Sequence, residues 1–380
     1  MKPLCYAPWH SILVRFNGDI VPDGLYLNRY GNILTQSLPE IMNSEVARST
    51  KSSMINNIIP TECSQCPKKE SVTGHSRRIF FDHIVGPMIK EQYNYTESFN
   101  DIRMIEFNMS NICNLKCRMC NGISSSAWIK EEHKLNELNP KYTRPVNHPE
   151  FGYHNVSAEV VDRLFEHPEY FKNFEYLCIK GGEPYMEPAN KLIMQKLIDL
   201  DLAKNTVLDI CTNGTIVDEE FDMLAMEFKE TKWTISIEAV NKLYEYIRGG
   251  YNHSFEQFEQ NLQHFNKFDR VIFANTIMTY NISHIHELQA WYDRVKLDNY
   301  EIYHLNIVAT PEYLNPSILP QNILDNARQL NNTQNINYTQ NKQLEHLIPT
   351  FVDFTRDLDK LRNSDILTVC PELSELFNDK

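Results

Sequence analysis

Three cysteines occur within eight residues, at Cys113, Cys117 and Cys120, directly after a predicted strand. Three thiolates at this spacing can ligate three irons of a cubane cluster and leave the fourth iron without a protein ligand. A structural zinc site normally has four closed ligands, and no fourth cysteine or histidine lies close in sequence to these three. The spacing therefore predicts an iron-sulfur cluster with one open iron and disfavours a zinc site.

Two turns follow the ends of the next two predicted strands. The first is Gly-Gly-Glu-Pro at 181–184, and the second is Thr-Asn-Gly at 212–214. Taken singly, a Gly-Gly or Asn-Gly pair usually marks only a turn. Glycine also permits close backbone approach to a ligand, and in parallel α/β folds the chemistry lies at the carboxyl ends of the strands. Because both turns follow strand ends, we regard them as candidate functional positions.

A polar pair and an arginine come next along the chain. The alternation Thr-Ile-Ser-Ile-Glu at 234–238 points Ser236 and Glu238 to one face of the fourth predicted strand, where the pair offers polar groups for hydrogen bonding. Arg248 follows, and its planar guanidinium is well suited to pair with a carboxylate. A lone arginine is usually a solvated surface charge. The prediction therefore depends on the order in which the cysteines, the two turns, the polar pair and Arg248 follow one another.

The C-x3-C-x2-C spacing, followed in order by these four elements, resembles the signature of the radical S-adenosylmethionine (SAM) superfamily. In that family the amino and carboxylate groups of SAM chelate the open iron. The resemblance implies a 4Fe-4S cluster on Cys113, Cys117 and Cys120, and SAM as second cofactor. It implies that Met119 contacts the adenine through its backbone and that Arg248 pairs with the SAM carboxylate. The SAM contacts that it implies are Met119, Gly181, Gly182, Glu183, Thr212, Asn213, Ser236, Glu238 and Arg248.

A second group of cysteines lies near the N-terminus. Cys5 is followed by Gly18, then by Asp23 after four intervening residues, and later by Cys63 and Cys66. This order resembles the auxiliary-cluster pattern of SPASM and twitch domains, C-x(9–15)-G-x4-C with a later C-x2-C. Asp23 stands where that pattern has its second cysteine. Because one C-x2-C follows, the resemblance implies a single-cluster, twitch-like module with a second, auxiliary 4Fe-4S cluster.

The role of Asp23 has two interpretations. Asp23 could supply a carboxylate oxygen as fourth ligand, or it could leave an auxiliary iron open to substrate. We favour ligation because the spacing is kept and a carboxylate is anionic like a thiolate, although its harder oxygen suits iron less well. The alternative to a cluster is a zinc site made from the three cysteines and a carboxylate or histidine such as His10.

The other cysteines and histidines receive no site role. Cys178 and Cys211 fall in predicted core strands, where cysteine commonly packs as a small apolar residue. Cys370 could be a distant ligand or a radical quencher, but an isolated cysteine near a C-terminus is more often neither. The histidines show no metal-ligand spacing such as H-E-x-x-H.

The predicted elements favour an α/β fold. Strand-like segments at 102–108, 174–180, 206–212, 232–238, 271–280 and 301–308 alternate with helical spacing at 191–200, 218–228 and 255–265. Such alternation predicts a parallel sheet with crossover helices, and six units suggest a partial (β/α)6 barrel of the radical SAM type. We expect a small N-terminal α+β, twitch-like module at 1–75, a connector at 76–100, the barrel at 101–310 and a C-terminal helical extension at 311–380.

Composition limits the partners. The formal net charge of -13 disfavours nucleic acid, because that binding depends on lysine and arginine neutralising phosphates. The sequence contains no run of about 18 apolar residues, the length that predicts a membrane-spanning helix. No secretory signal is evident at the start, so we expect a cytoplasmic protein.

Three functions remain open at this point. The first is a radical SAM enzyme that modifies a peptide or protein side chain with help from the auxiliary cluster and an external electron donor such as flavodoxin or ferredoxin. The second is a radical SAM dehydrogenase or epimerase of a small metabolite. The third is a non-catalytic iron-sulfur or zinc sensor. The SAM-binding elements disfavour it, because a sensor does not need to bind SAM.

Overall fold

The computed structural model describes residues 3–73, 76–89, 94–99, 101–108, 110–142, 144–249, 253–295, 299–302, 306–331 and 339–378. Its strands, in chain order, are β1 (Ser11–Arg15), β2 (Asp19–Val21), β3 (Gly31–Asn32), β4 (Met104–Asn108), β5 (Tyr176–Lys180), β6 (Val207–Thr212), β7 (Glu230–Ser236), β8 (Arg270–Ala274), β9 (Thr276–Ile277), β10 (Tyr300–Ile302) and β11 (Asn306–Ile307).

The α-helices, in chain order, are α1 (Ala7–His10), α2 (Leu38–Met42), α3 (Glu45–Ile55), α4 (Gln65–Thr73), α5 (Arg77–Met88), α6 (Ile129–Leu138), α7 (Ala158–Leu164), α8 (Pro188–Asp199), α9 (Glu219–Ala225), α10 (Asn241–Arg248), α11 (Phe255–Leu262), α12 (Ile285–Tyr292), α13 (Gln321–Asn331), α14 (Ile348–Arg362) and α15 (Ser374–Phe377). Strands followed by helices give the mixed α/β fold that the sequence predicts.

The chain divides into two compact units. Unit 1 comprises Met1–Ser110, His154–Cys211 and Asp218–Lys232. Unit 2 comprises Asn111–Tyr153, Thr212–Val217 and Trp233–Lys380.

Unit 1 is built on a mixed sheet with the strand order β3-β2-β1-β4-β5-β6. β1, β2 and β3 pair antiparallel, whereas β4 pairs in parallel with both β1 and β5, and β5 pairs in parallel with β6. In the β1–β4 register, Leu13 lies opposite Glu106. The N-terminal hairpin is thus continuous with the first strand of the α/β region, which places the charged side chain of Glu106 beside the N-terminal segment.

Unit 2 contains β8 and β10, which pair in parallel, and β9 and β11, which form a separate parallel pair. Its apolar core includes Trp128, Ile247, Tyr280, Phe354 and Cys370, all less than 3% exposed. Residues of α10, α14 and the C-terminal segment therefore pack into one core with the segment that follows the cysteine loop.

Local sequence explains several helix ends. Asp218 caps α9 by accepting a hydrogen bond from the backbone N–H of Phe221, and Ser254 caps α11 through the N–H of Gln257. The helix α14 ends at Arg362, and the next residue, Asn363, adopts the left-handed conformation that asparagine tolerates. Among the described residues, no helix is long and apolar enough to cross a membrane.

Candidate functional site

The cysteine loop of unit 2 is held by hydrogen bonds between its backbone and neighbouring side chains. The N–H of Cys120 donates to the carbonyl of Cys117 at 2.8 Å, and the indole N–H of Trp128 donates to that same carbonyl at 2.8 Å. The hydroxyl of Ser125 donates to the carbonyl of Leu115 at 2.7 Å. These contacts fix a loop whose thiols would otherwise be free to separate.

The three thiols of this loop lie close enough to influence one another. Burial, and then the neighbouring Cys117 and Cys113 thiols, raise the pKa of Cys120 to about 12. Three thiols that influence one another on a single loop are a donor set that suits an iron-sulfur cluster.

A buried ion pair faces this loop. Arg248, at the end of α10, donates from Nε and Nη2 to the carboxylate of Glu238 at 2.7 and 3.1 Å. The third guanidinium nitrogen, Nη1, lies 3.9 Å from the Cys117 sulfur. Both charged residues are about 4% exposed. Burial raises the pKa of the Cys117 thiol and the Arg248 guanidinium opposes that rise, so the arginine favours the thiolate that a metal requires.

Asn213 contacts the first cysteine of the loop. Its Nδ2 lies 3.8 Å from the Cys113 sulfur and donates to the side-chain oxygen of Asn114 at 2.9 Å. The hydroxyl of Thr212 accepts from the N–H of Gly214 at 3.1 Å, which shapes the turn. The Thr-Asn-Gly turn predicted from the sequence is thereby brought to the cysteine loop.

Two other residues of unit 2, Ser236 and Met119, are also predicted to contact SAM. Ser236 is the last residue of β7 and is half-buried. Met119 packs against the apolar core of unit 2. The structure brings Glu238 to Arg248, so each of these charged side chains already has the other as its partner.

In unit 1, the Gly-Gly-Glu-Pro turn follows β5 directly. Gly181 and Gly182 have φ values of +90° and +50°, and a Cβ on Gly181 would lie 2.0 Å from Oδ1 of Asn108. Only glycine fits there without displacing its neighbour. Glu183 is fully buried and its carboxylate accepts from the N–H of Tyr185 at 3.4 Å.

Supports from the C-terminal helix were not predicted from the sequence. Arg118, next to Cys117, is fully buried and pairs with Asp359 of α14. Arg362, also on α14, donates to the backbone carbonyl of Lys116 at 2.7 Å. The segment for which the sequence suggested no chemistry thus holds the backbone of the cysteine loop.

The auxiliary site of unit 1 is a cavity whose lining includes Cys5, Cys63, Cys66 and Asp23. Burial, followed by the charges of Cys66 and Asp23, raises the pKa of Cys63 to about 12. Burial also raises the pKa of Cys5 and Cys66. Three thiols and a carboxylate are therefore gathered from three separate chain segments, a donor set that suits an iron-sulfur cluster. His10 does not line this cavity, and its Nδ1 lies 3.2 Å from Asp101.

A buried charge network holds Asp23. Arg77, the first residue of α5, donates from Nε to Asp23 at 2.8 Å and from Nη2 to Glu106 at 2.6 Å. Lys180 donates to the same oxygen of Glu106 at 3.2 Å. Sequence reasoning missed Arg77, although an arginine beginning a helix soon after the C-x2-C was a visible signal.

Family models match both regions. The radical SAM superfamily model matches residues 107–292, and the iron-sulfur cluster-binding domain model, SPASM, matches residues 5–67. The chain therefore carries a radical SAM domain at residues 107–292 and a SPASM domain at residues 5–67. The first domain implies a 4Fe-4S cluster and SAM, and the second implies auxiliary iron-sulfur chemistry.

The solved structures that match this chain are only distantly similar to it. "Native anSMEcpe with bound AdoMet" has 16% identity and a TM-score of 0.41, with 69% of this chain and 62% of that chain covered. Streptococcus suis SuiB bound to precursor peptide SuiA has 12% identity and a TM-score of 0.33, with 95% and 73% covered. The chain spans less than two thirds of the length of anSMEcpe. No curated protein sequence matches it.

Proposed function

We propose that Cys113, Cys117 and Cys120 hold the cluster at which SAM is reductively cleaved, and that Arg248 and Glu238 adjust its surroundings. When bound, the cluster and SAM supply a 5'-deoxyadenosyl radical that abstracts a hydrogen atom from a substrate. The observation that carries the proposal is the approach of Nη1 of the buried Arg248 to the Cys117 sulfur at 3.9 Å.

The residues around the loop have distinct tasks in this proposal. Arg248 stabilises the Cys117 thiolate by a charge-assisted hydrogen bond, and Glu238 balances the arginine's charge, which would be costly to bury alone. Asn213 orients the Cys113 side chain through its own hydrogen bond to Asn114. The carboxylate of SAM is the proposed additional partner of the Arg248 Nη1 group.

The remaining assignments rest on the resemblance alone. Gly181 and Gly182 offer a backbone without side chains, and Glu183 a buried carboxylate, for the SAM ammonium group. Met119 contributes its backbone to the adenine, while Thr212 and Ser236 contribute hydroxyls.

SAM cleavage tests this proposal. The anaerobically reconstituted and dithionite-reduced chain should release 5'-deoxyadenosine, and Cys117→Ala should abolish that release. Cys211→Ala is the matched control, because it removes a half-buried thiol of β6 that has no assigned role. Equal release from the Cys117→Ala variant and the parent would refute the cluster assignment.

For the auxiliary site we propose cluster ligation by Cys5, Cys63, Cys66 and Asp23. The arrangement of Asp23 supports it: one oxygen accepts from Arg77, which orients the carboxylate in a cavity lined by all three thiols. An Asp23→Ala variant that keeps the full iron content and an unchanged spectrum of the auxiliary cluster would contradict ligation by Asp23.

The substrate that we propose is a peptide or protein side chain, with flavodoxin or ferredoxin as electron donor. Its support is the SPASM domain, whose resemblance suggested this class. A pool of unmodified peptides should accelerate 5'-deoxyadenosine release and acquire a mass change, and a pool of amino sugars should do neither. The reverse result would favour a dehydrogenase or epimerase of a small metabolite.

A further inference from the structure

A histidine, a cysteine and a carboxylate meet in unit 2, in a place to which neither cluster assignment extends. His284, Cys370 and Glu372 each offer one ligand atom, and these atoms all lie within 4.8 Å of one another. The histidine immediately precedes α12, and the other two residues are 86 and 88 positions later in the chain. Two segments that are remote in sequence therefore contribute to one group.

The histidine is oriented as metal-binding histidines usually are. Its Nδ1 lies 2.9 Å from the carboxylate of Glu287 on α12, and its Nε2 lies 3.0 Å from the carboxylate of Glu372. Metal-ligating histidines commonly donate one ring N–H to such a carboxylate, which fixes the ring and the tautomer. Glu287 takes that supporting position and leaves Nε2 directed at the other two donors.

The donor set also fits a metal by distance and charge. Zinc bonds of about 2.3 Å to sulfur and about 2.0 Å to nitrogen place adjacent tetrahedral ligands about 3.5 Å apart. Closing the group to that spacing takes movements of little more than about 1 Å. A divalent ion, one thiolate and one carboxylate sum to zero charge, which suits a place where Cys370 is fully buried.

The site has a route to solvent. The side chains of His284 and Glu372 are 16% and 28% exposed, although the cysteine is not exposed. A metal ion could therefore reach the imidazole and carboxylate first and the thiol last. At present the thiol of Cys370 donates to the backbone carbonyl of Tyr280 at 3.1 Å, a weak bond that metal binding would replace.

We propose that His284, Cys370 and Glu372 bind one divalent transition-metal ion of the zinc type, with water as fourth ligand, and that Glu287 is its supporting residue. The ion fastens the C-terminal segment to the start of α12. Binding releases the thiol proton of Cys370 and, where Nε2 carries one, the imidazole proton to solvent. The proposal is independent of SAM cleavage, since its ligands belong to neither cysteine cluster.

Zinc content of the cluster-loaded enzyme tests the proposal. The reconstituted chain is treated with EDTA, supplied with stoichiometric zinc and desalted, and its zinc and iron are counted. We expect about one zinc per chain, as for one mononuclear site, and its loss in Cys370→Ser and Glu372→Gln with iron unchanged. Cys211→Ser is the matched control and should retain the zinc. Glu287→Gln should weaken zinc binding about 10- to 100-fold without abolishing it.

Cobalt gives a second readout that identifies the thiolate. Co2+ should produce a sulfur-to-metal charge-transfer band that is present in the parent and in Cys211→Ser but absent in Cys370→Ser. No zinc in the parent, or zinc and the cobalt band retained by Cys370→Ser, would overturn the proposal and leave a metal-free imidazole between two carboxylates. If Cys370→Ser loses iron through misfolding, the more exposed Glu372→Gln variant decides the question by its zinc count.

Discussion

Replacing Asp359 by asparagine should destabilise unit 2 and loosen the cysteine loop. Asp359 accepts from the guanidinium of Arg118, from the hydroxyls of Ser364 and Tyr246 at 2.8 and 3.2 Å, and from the N–H of Ile366 at 2.8 Å. Arg118 is fully buried, so neutralising its partner leaves an uncompensated charge in the core. Removing one partner of a buried ion pair typically costs about 3–5 kcal/mol. Because asparagine keeps one acceptor oxygen, we expect a loss of about 3 kcal/mol in the free energy of unfolding.

Urea unfolding measures this loss in the free energy of unfolding. Tryptophan fluorescence monitors the unfolding transition under anaerobic, reducing conditions. Lys360→Gln is the control, because Lys360 is exposed on the same helix and its replacement should change stability by no more than about 0.5 kcal/mol. The Asp359→Asn variant should also retain less iron after reconstitution, since Arg118 directly follows Cys117. A stability within about 0.5 kcal/mol of the parent would refute the reasoning that the charge of Arg118 needs Asp359.

Three further changes probe the other parts of the account. Arg248→Gln should lower the rate of 5'-deoxyadenosine release at least about 10-fold, as expected when a group that supports a metal ligand is removed. Arg248→Lys should restore only part of that rate. Equal rates in the parent and both variants would contradict the role of Arg248. Arg77→Gln should leave Glu106 paired with Lys180 and should lower the iron content of the auxiliary cluster, measured in a chain that lacks the first cluster. Unchanged iron would contradict the proposal that Arg77 holds Asp23 in place for ligation. Gly181→Ala should cost about 1–3 kcal/mol in urea unfolding because of its positive φ and the clash that its Cβ would make, and an unchanged midpoint would contradict that strain.

Local sequence pattern sufficed to predict several strands and helices of the α/β region. The predicted strands at 174–180 and 206–212 correspond to β5 (Tyr176–Lys180) and β6 (Val207–Thr212), and the predicted helical spacing at 191–200 corresponds to α8 (Pro188–Asp199). These elements have clear apolar periodicity and turn residues at their ends, so short-range signals define them.

Long-range pairing could not be predicted in the same way. Nothing in the sequence of β1 shows that it pairs in parallel with β4, and the pair of Arg118 with Asp359 joins residues 241 positions apart. Likewise, His284 shows no metal-ligand spacing, because its proposed co-ligands come from a different part of the chain. Tertiary packing decides such contacts, whereas the C-x3-C-x2-C motif carries its chemistry in local spacing.

Iron and sulfide analysis combined with electron paramagnetic resonance tests the central claim most directly. The parent chain should bind about eight irons in two cubanes, and a Cys113/Cys117/Cys120 triple alanine variant about four. The reduced parent should show a cluster signal that changes when SAM is added, and the triple variant should lack that response. Zinc in place of iron in the parent, or a SAM-responsive signal that survives in the triple variant, would contradict the assignment of the SAM-cleaving cluster to these three cysteines.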